Sequence, residues 1–162
     1  MVDIISINCQ GLGCYKKRKD VFNYLHNLNA NIYCLQDTHF TSDIENQIIS
    51  EWGYHALFSS HTSNSRGVSI LFKNNFEYEI EKHIVDSNGN FIVAQILVEK
   101  KRILVINIYG PNNDKPEFYT SLFQKFEDFN YEYIIMCGDF NLVQNPHIDY
   151  FNYVHVISFP SK

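Results

Sequence analysis

The run Ile134-Ile135-Met136-Cys137-Gly138-Asp139-Phe140-Asn141 carries an apolar segment of strand character up to a glycine and then offers two polar side chains. Asp139 and Asn141 stand two residues apart, so in extended backbone they leave on the same side. Burying a carboxylate and a carboxamide without partners is unfavourable, which makes them poor core material. They suit a divalent cation, or a phosphate with its attacking water. Gly and Asp after a strand also mark a β-turn, and from this run alone both readings stand.

Upstream, Ile103 to Tyr109 reads as a strongly apolar central strand ended by Gly110-Pro111. Before it come Tyr78–Val85, the turn Asp86-Ser87-Asn88-Gly89-Asn90, Phe91–Val98 and a second turn at Glu99–Arg102. Asn-Gly is a strong hairpin signal, so this middle section is an antiparallel meander. The amino-terminal third differs. Val2–Asn8 reads as a strand apolar on both faces, Lys16–Asn29 as a helix with Val21, Phe22, Leu25 and Leu28 at helical spacing, and Ile32–Gln36 as a second buried strand. Such a strand–helix–strand crossover gives parallel strands. A second helix is expected from Ser42 to about Glu51, with Glu45 completing a capping box. Strands follow at Tyr54–Ser59 and Val68–Phe72, separated by the polar loop His61–Ser65 and Arg66-Gly67. Pro116, with Asp114 near the cap, opens a third helix whose Phe118, Leu122, Phe123, Phe126 and Phe129 form an apolar core face. Past Leu142 the pattern supports at most a short strand, Tyr153–Ile157.

With 162 residues the chain is one domain, and 45% hydrophobic content with 15% aromatics marks it as globular. Thirteen basic against eighteen acidic residues leave a formal charge of −5, which argues against a basic, non-specific nucleic-acid coat but not against local phosphate binding. Cys9, Cys14, Cys34 and Cys137 form no C-x-x-C pair and read as buried free thiols of a reducing compartment. The chain opens without a leader-like segment and has no apolar run of membrane-spanning length. The expectation is an intracellular protein with no membrane partner.

Four strands end in polar residues at one plausible rim: Asn8, Gln36-Asp37 with His39 two beyond, Asn107-Ile108-Tyr109, and Asp139-Phe140-Asn141. Strand ends are where layered α/β proteins build sites. The ordered set Ile7–Leu12, Cys34–His39, Ser65–Phe72, Val105–Asn112 and Cys137–Asn141 resembles the endonuclease/exonuclease/phosphatase superfamily. Within it, the chain is most similar to the abasic-site-endonuclease-like domain of non-LTR (LINE-type) retrotransposons, a flavour continued by Leu142-Val143 and Asp149-Tyr150.

That resemblance implies a four-layer α/β/β/α sandwich of the α/β (α+β) class, over a partial domain 1–162 in which both sheets are incomplete. It implies Mg²⁺-dependent (or Mn²⁺-dependent) hydrolysis of DNA phosphodiesters, leaving a 3′-hydroxyl that primes reverse transcription. Position by position, Asn8 would help organise the metal and its carboxylate, and Asp37 would be the main metal ligand. Tyr109 would donate to a phosphate oxygen, Asp139 would orient the attacking water, and Asn141 would hold the scissile phosphate. Arg66 and His39 would contact substrate or shape the rim. The implied partners are DNA and the remainder of a retrotransposon polyprotein if the frame continues, with a nuclear location for action on genomic DNA and a cytoplasmic one otherwise.

Two departures stand out. Asp37 replaces the family's glutamate, shortening the ligand by a methylene where Mg²⁺ demands distances of about 2.1 Å. The family's remaining acid and its terminal Ser-Asp-His lie in a second half with no counterpart here, and neither His147 nor His155 stands in that context. The expectation is therefore a truncated endonuclease, inactive or strongly impaired as the 162-residue chain. Alternatives are a non-catalytic nucleic-acid or protein-binding remnant and a phosphatase-type phosphoesterase. Taken singly, Asn8 also reads as a turn former, Asp37 as a helix cap, and Tyr109 as a packing residue. Lys16 to Lys19 read as a solvated face, and His26, His55 and His83 as surface or packing residues.

Overall fold

The computed structural model describes residues 2–112, 115–142 and 157–160. Strand β1 (Ile4–Asn8) pairs in parallel with β2 (Ile32–Gln36) across helix α1 (Tyr15–Leu28). The other edge of β2 pairs antiparallel with β4 (Val68–Phe72), and β4 with β3 (Ala56–Ser59). The first sheet thus runs β1-β2-β4-β3. The second contains β5 (Glu79–Val85), β6 (Phe91–Val98), β7 (Lys101–Tyr109), β8 (Tyr133–Asp139) and β9 (Ile157–Pro160), side by side in chain order. Strands β5 to β7 form the expected meander, and β7 and β8 are parallel.

Strand alternation sorts the apolar residues into three layers of core. Ile32 and Cys34 of β2, with Val68, Ile70 and Phe72 of β4, face Ile92, Ala94, Ile96, Val105 and Cys137 of the other sheet. The alternate residues Tyr33 and Leu35 face outward onto Phe22 and Leu25 of α1 and Ile48 and Trp52 of α2 (Glu45–Trp52). On the far side, Val93, Leu104, Ile106 and Ile108 take Leu122 of α3 (Pro116–Gln124) together with Phe126 and Phe129. Two open sheets lie face to face with helices outside, the four-layer α+β sandwich expected. Near-continuous apolar strands are what a sheet buried on both faces requires.

Several local expectations are corrected. Arg18 is not part of a solvated face: it is 3% exposed. Its guanidinium grips Glu51 through Nε at 2.5 Å and Nη2 at 2.8 Å, and donates to the carbonyls of Leu12 and Gly13. The capping box does not form. Ser42–Ile44 is a 3₁₀ turn, no side chain caps α2, and Glu45 instead accepts the Ser60 hydroxyl at 2.7 Å. The third helix stops at Gln124, so Phe126 and Phe129 reach the core from the turn after it, while Phe123 is exposed. Cys14 is exposed, and only Cys9, Cys34 and Cys137 are buried thiols. Asp114, Asp149-Tyr150, His147, His155 and residues 153–156 of the suggested last strand lie outside the described residues.

Candidate active site

Strand register does most of the positioning. Asn8 sits opposite Gln36 in the first sheet, and Tyr109 opposite Asp139 in the second. The two sheet ends are then joined by one bond, in which Asn8 Nδ2 donates to Asp139 Oδ2 at 2.6 Å across 131 residues of chain. One layer below, Gln36 and Asn107 form a buried bridge between the sheets. Gln36 Nε2 donates to Asn107 Oδ1 at 2.6 Å and to Ser6 Oγ and the Cys34 carbonyl. Asn107 Nδ2 donates to the carbonyls of Leu35 and Ser69, each at 2.9 Å. Sequence reasoning missed this bridge. Its signal was present, however, in an amide placed inside or at the end of an otherwise apolar strand.

Strand β8 does not stop at Gly138 but runs through it to Asp139. Gly138 has φ +143°, and a Cβ there would collide with the Ile108 backbone on the neighbouring strand, so only glycine lets β8 reach the rim in register. Asn141 is not extended: at φ +50° its N–H turns back to Asp139 Oδ1 at 3.1 Å, and its Nδ2 donates to the Gly110 carbonyl at 2.8 Å. The same-side geometry expected for Asp139 and Asn141 is thereby replaced by a tight turn in which the second residue braces the first.

Asp37 (φ +53°), His39 (φ +58°) and Arg66 (φ +63°) are also left-handed. His39 Nε2 donates to Asp37 Oδ1 at 2.9 Å, and the Arg66 N–H donates to the same oxygen at 3.1 Å. Strained non-glycine backbone persists where surrounding structure over-determines it, and such positions gather at functional sites. Here Gln10, Asp37, His39, Arg66 and Asn141 all border the rim, whereas Asn29, Asn75, Glu99 and Lys100 lie in a helix cap or tight turns.

Burial raises the Tyr109 hydroxyl above its ordinary pKa, and the nearby Asp37 and Asp139 carboxylates push it further, against Asn141 and Arg66, which pull it down. The phenol stays protonated at neutral pH and is a donor. Behind it, burial and Asp139 push Tyr119 up to about 12. Tyr119 donates to the Phe140 carbonyl, fixing the loop between Asp139 and Asn141.

Among the described residues, no group of three or more His, Cys, Asp or Glu side chains could hold a metal. Asn8 is engaged at both ends, its Oδ1 accepting the Gln10 N–H at 3.0 Å. Asp37 offers one carboxylate oxygen beyond the one taken by His39 and Arg66. A hard cation that keeps several waters and takes one or two carboxylates fits that donor set; a cation needing a full protein cage does not.

A sequence profile of the endonuclease/exonuclease/phosphatase family matches residues 5–152. The chain is 25% identical over 143 residues to the transposon TX1 uncharacterized 149 kDa protein of Xenopus laevis, covering 86% of this chain and 11% of that protein. Among solved structures, it resembles the APE2 catalytic domain of Xenopus laevis (TM-score 0.66, 22% identity, 90% of this chain and 60% of that one). It is similar also to an AP endonuclease from Archaeoglobus fulgidus (TM-score 0.59, 20% identity, 90% and 60%). A third likeness is to humanized Danio rerio TDP2 (TM-score 0.64, 13% identity, 92% and 65%). At these identities the structural likenesses establish the fold. The chain spans less than two thirds of the length of each of these relatives.

Proposed function

Because the chain belongs to the endonuclease/exonuclease/phosphatase family, we propose that its rim is the phosphate- and metal-holding part of a DNA phosphodiesterase site of the retrotransposon type, strongly impaired in hydrolysis when these 162 residues act alone. The observation that carries this reading is the Asn8–Asp139 bond at 2.6 Å, which draws the ends of both sheets into one cluster with Asp37 and Tyr109. The likeness to the transposon TX1 protein supports the retrotransposon branch over phosphatase-type relatives.

Asp139 is the water-orienting group, its two oxygens held by Asn8 Nδ2 and the Asn141 N–H so that the carboxylate cannot swing away. Tyr109 donates its phenolic proton to a phosphoryl oxygen, where negative charge grows in the transition state. Asn141 and Arg66 bracket the same phosphate. Asp37 would hold Mg²⁺ or Mn²⁺ through its second oxygen, with Asn8 bracing the neighbouring carboxylate. A direct metal role for Asn8 would require it to give up the Gln10 bond. Bound there, the cation supplies positive charge to the phosphoryl oxygens. Acting on genomic DNA would place the protein in the nucleus, and otherwise in the cytoplasm.

The test is nicking of supercoiled plasmid with Mg²⁺ and with EDTA, alongside Asp139→Ala. The 162-residue chain is expected to leave the plasmid at the Asp139→Ala background. Mg²⁺-dependent nicking that disappears in Asp139→Ala would keep the assignment of the site but refute the impairment. Hydrolysis of phosphomonoesters without affinity for DNA would overturn the DNA reading.

A further inference from the structure

Along the row of strand ends the two sheets are tied three times. Strand β1 meets β8 through Asn8 and Asp139, and β2 meets β7 through Gln36 and Asn107. The third tie is made of backbone: the Gly67 N–H, just before β4, donates to the Gly89 carbonyl, two residues before β6, at 3.0 Å. A Cβ on Gly89 would lie 2.7 Å from His61 Cβ and 2.8 Å from the Gly67 nitrogen, so only bare backbone makes this approach. The turn that carries Gly89 also reaches the other wall of the rim, where the Tyr109 N–H donates to the Asn90 carbonyl at 2.6 Å. On the near wall the Gly67 carbonyl accepts the Thr38 N–H at 3.0 Å, and the Arg66 carbonyl accepts the His39 N–H at 2.8 Å. The turn 86–90 therefore fixes Tyr109 on one side and the loop of Asp37 and His39 on the other.

Asp86 holds that turn in shape. Its Oδ2 accepts both the Asn90 N–H at 3.1 Å and Asn90 Nδ2 at 3.0 Å, and its carbonyl accepts the Ser59 hydroxyl from the end of β3. The bond between Tyr109 and Asn90 is the last of the β6–β7 ladder at the rim, the kind of bond that opens first. A carboxylate acceptor makes stronger bonds than a neutral one, which suits a brace placed there. We propose that Asp86 is a positioning residue for the site: it holds Asn90, and through Asn90 it keeps Tyr109 at a fixed distance from the Asp37 and Arg66 loops. The inference rests on the reading of Tyr109 as a phosphate donor given above.

Hydrogen exchange followed by NMR at the Tyr109 and Gly67 amides, with Ile106 as internal reference, is measured for the wild-type chain, Asp86→Ala, Asp86→Asn and Asn90→Asp. Affinity for a labelled DNA duplex, in EDTA so that nothing is cleaved, is measured for the same proteins with and without Tyr109→Phe. Asp86→Ala should speed exchange at Tyr109 and Gly67 by about tenfold against Ile106, while Asp86→Asn, which keeps an acceptor, should stay near wild type. Asp86→Ala should weaken duplex binding about fivefold, the worth of one hydrogen bond, and by less than about twofold in the Tyr109→Phe background. Asn90→Asp sets a second carboxylate against Asp86 Oδ2 with little change of volume; it should repeat both effects, and it carries the test if Asp86→Ala does not fold. Unchanged exchange at Tyr109 in both variants, or an equal loss of affinity with and without Tyr109→Phe, would overturn the positioning role. A wild-type chain that does not bind the duplex, or a Tyr109→Phe variant that binds it as wild type does, sinks the phosphodiesterase reading instead, and the exchange rates alone then decide the brace.

Discussion

Replacing Asn107 by leucine isolates the device that sets the distance between the two sheets beneath the rim. Asn107 is fully buried and Gln36 is 1% exposed. The substitution removes three hydrogen bonds while keeping side-chain volume similar. It deprives the Leu35 and Ser69 carbonyls of a donor and Gln36 Nε2 of its shortest acceptor. With each buried group left unsatisfied costing about 1–3 kcal/mol, and the carbonyls at the low end, Asn107→Leu should lose about 3–5 kcal/mol. That is a large share of the roughly 5–15 kcal/mol that holds a domain together. Gln36→Leu should be similarly damaging, since Asn107 Oδ1 and Ser6 Oγ lose their shared donor. The double variant leaves no orphan between the two amides, so the pair should recover about 1–3 kcal/mol relative to the sum of the singles. Urea denaturation of all four proteins, with m-values compared to keep the states equivalent, measures the cycle. Additivity to within about 0.5 kcal/mol would refute the bridge as a coupled unit. If the bridge also spaces the site, the double variant should bind duplex DNA more weakly than its stability predicts, because Asp37 follows Gln36 directly and Tyr109 stands two residues after Asn107.

Arg18→Ala should cost about 3–5 kcal/mol, since it strands a partly buried Glu51 and two loop carbonyls, and a urea midpoint shift far larger than that of Lys19→Ala checks it. Thiol titration with an aromatic disulfide should modify Cys14 at once, because it is exposed and backbone N–H groups of Lys17 and Lys16 lower its pKa. Cys9, Cys34 and Cys137 should react only as the protein unfolds. Burial pushes the Cys9 thiol from 9.0 to about 12 and the Tyr78 hydroxyl from 10.0 to about 12. Above pH 9 the unfolded chain releases protons that the folded chain retains, so stability should be full below pH 9 and fall as pH climbs toward 12. Urea midpoints at pH 7.5 and 10.5 test the sign, and a rise at the higher pH would contradict it. Gly138→Ala should destabilise severely and shift amide signals at both Ile108 and Asp139, because the added methyl meets the Ile108 backbone.

What was legible in the sequence divides along physical lines. Strands β2, β4 and β6 are bounded as expected, because each is a largely apolar run buried on both faces and set off from polar or turn-forming neighbours. The rim was legible only as a set: Asn8, Asp37 and Tyr109 each read singly as a turn former, a helix cap or a packing residue, and it is their recurrence with Asp139 at successive strand ends, which the fold brings together, that marked them. Two kinds of feature escaped. One is left-handed backbone at residues that tolerate it but do not require it. Nothing in Asp139-Phe140-Asn141 signals that Asn141 will turn left-handed to brace the aspartate, nor does Asp37-Thr38-His39 announce two left-handed residues flanking a threonine. These conformations are held by the Gly67, Gly110 and Arg66 backbones, contacts between segments far apart in the chain. The other is a charge that reads as surface and is buried. Arg18 lies in a run of four basic residues, and only the distant Glu51 and the carbonyls of the Leu12 loop distinguish it from its neighbours. Lys17 follows the same logic in the open, its ammonium donating to the carbonyls of Cys9 and Gln10, each at 2.8 Å. Two of the four charges at the start of α1, Lys17 and Arg18, therefore secure the loop that leaves Asn8, and they are engaged within the protein before any phosphate arrives.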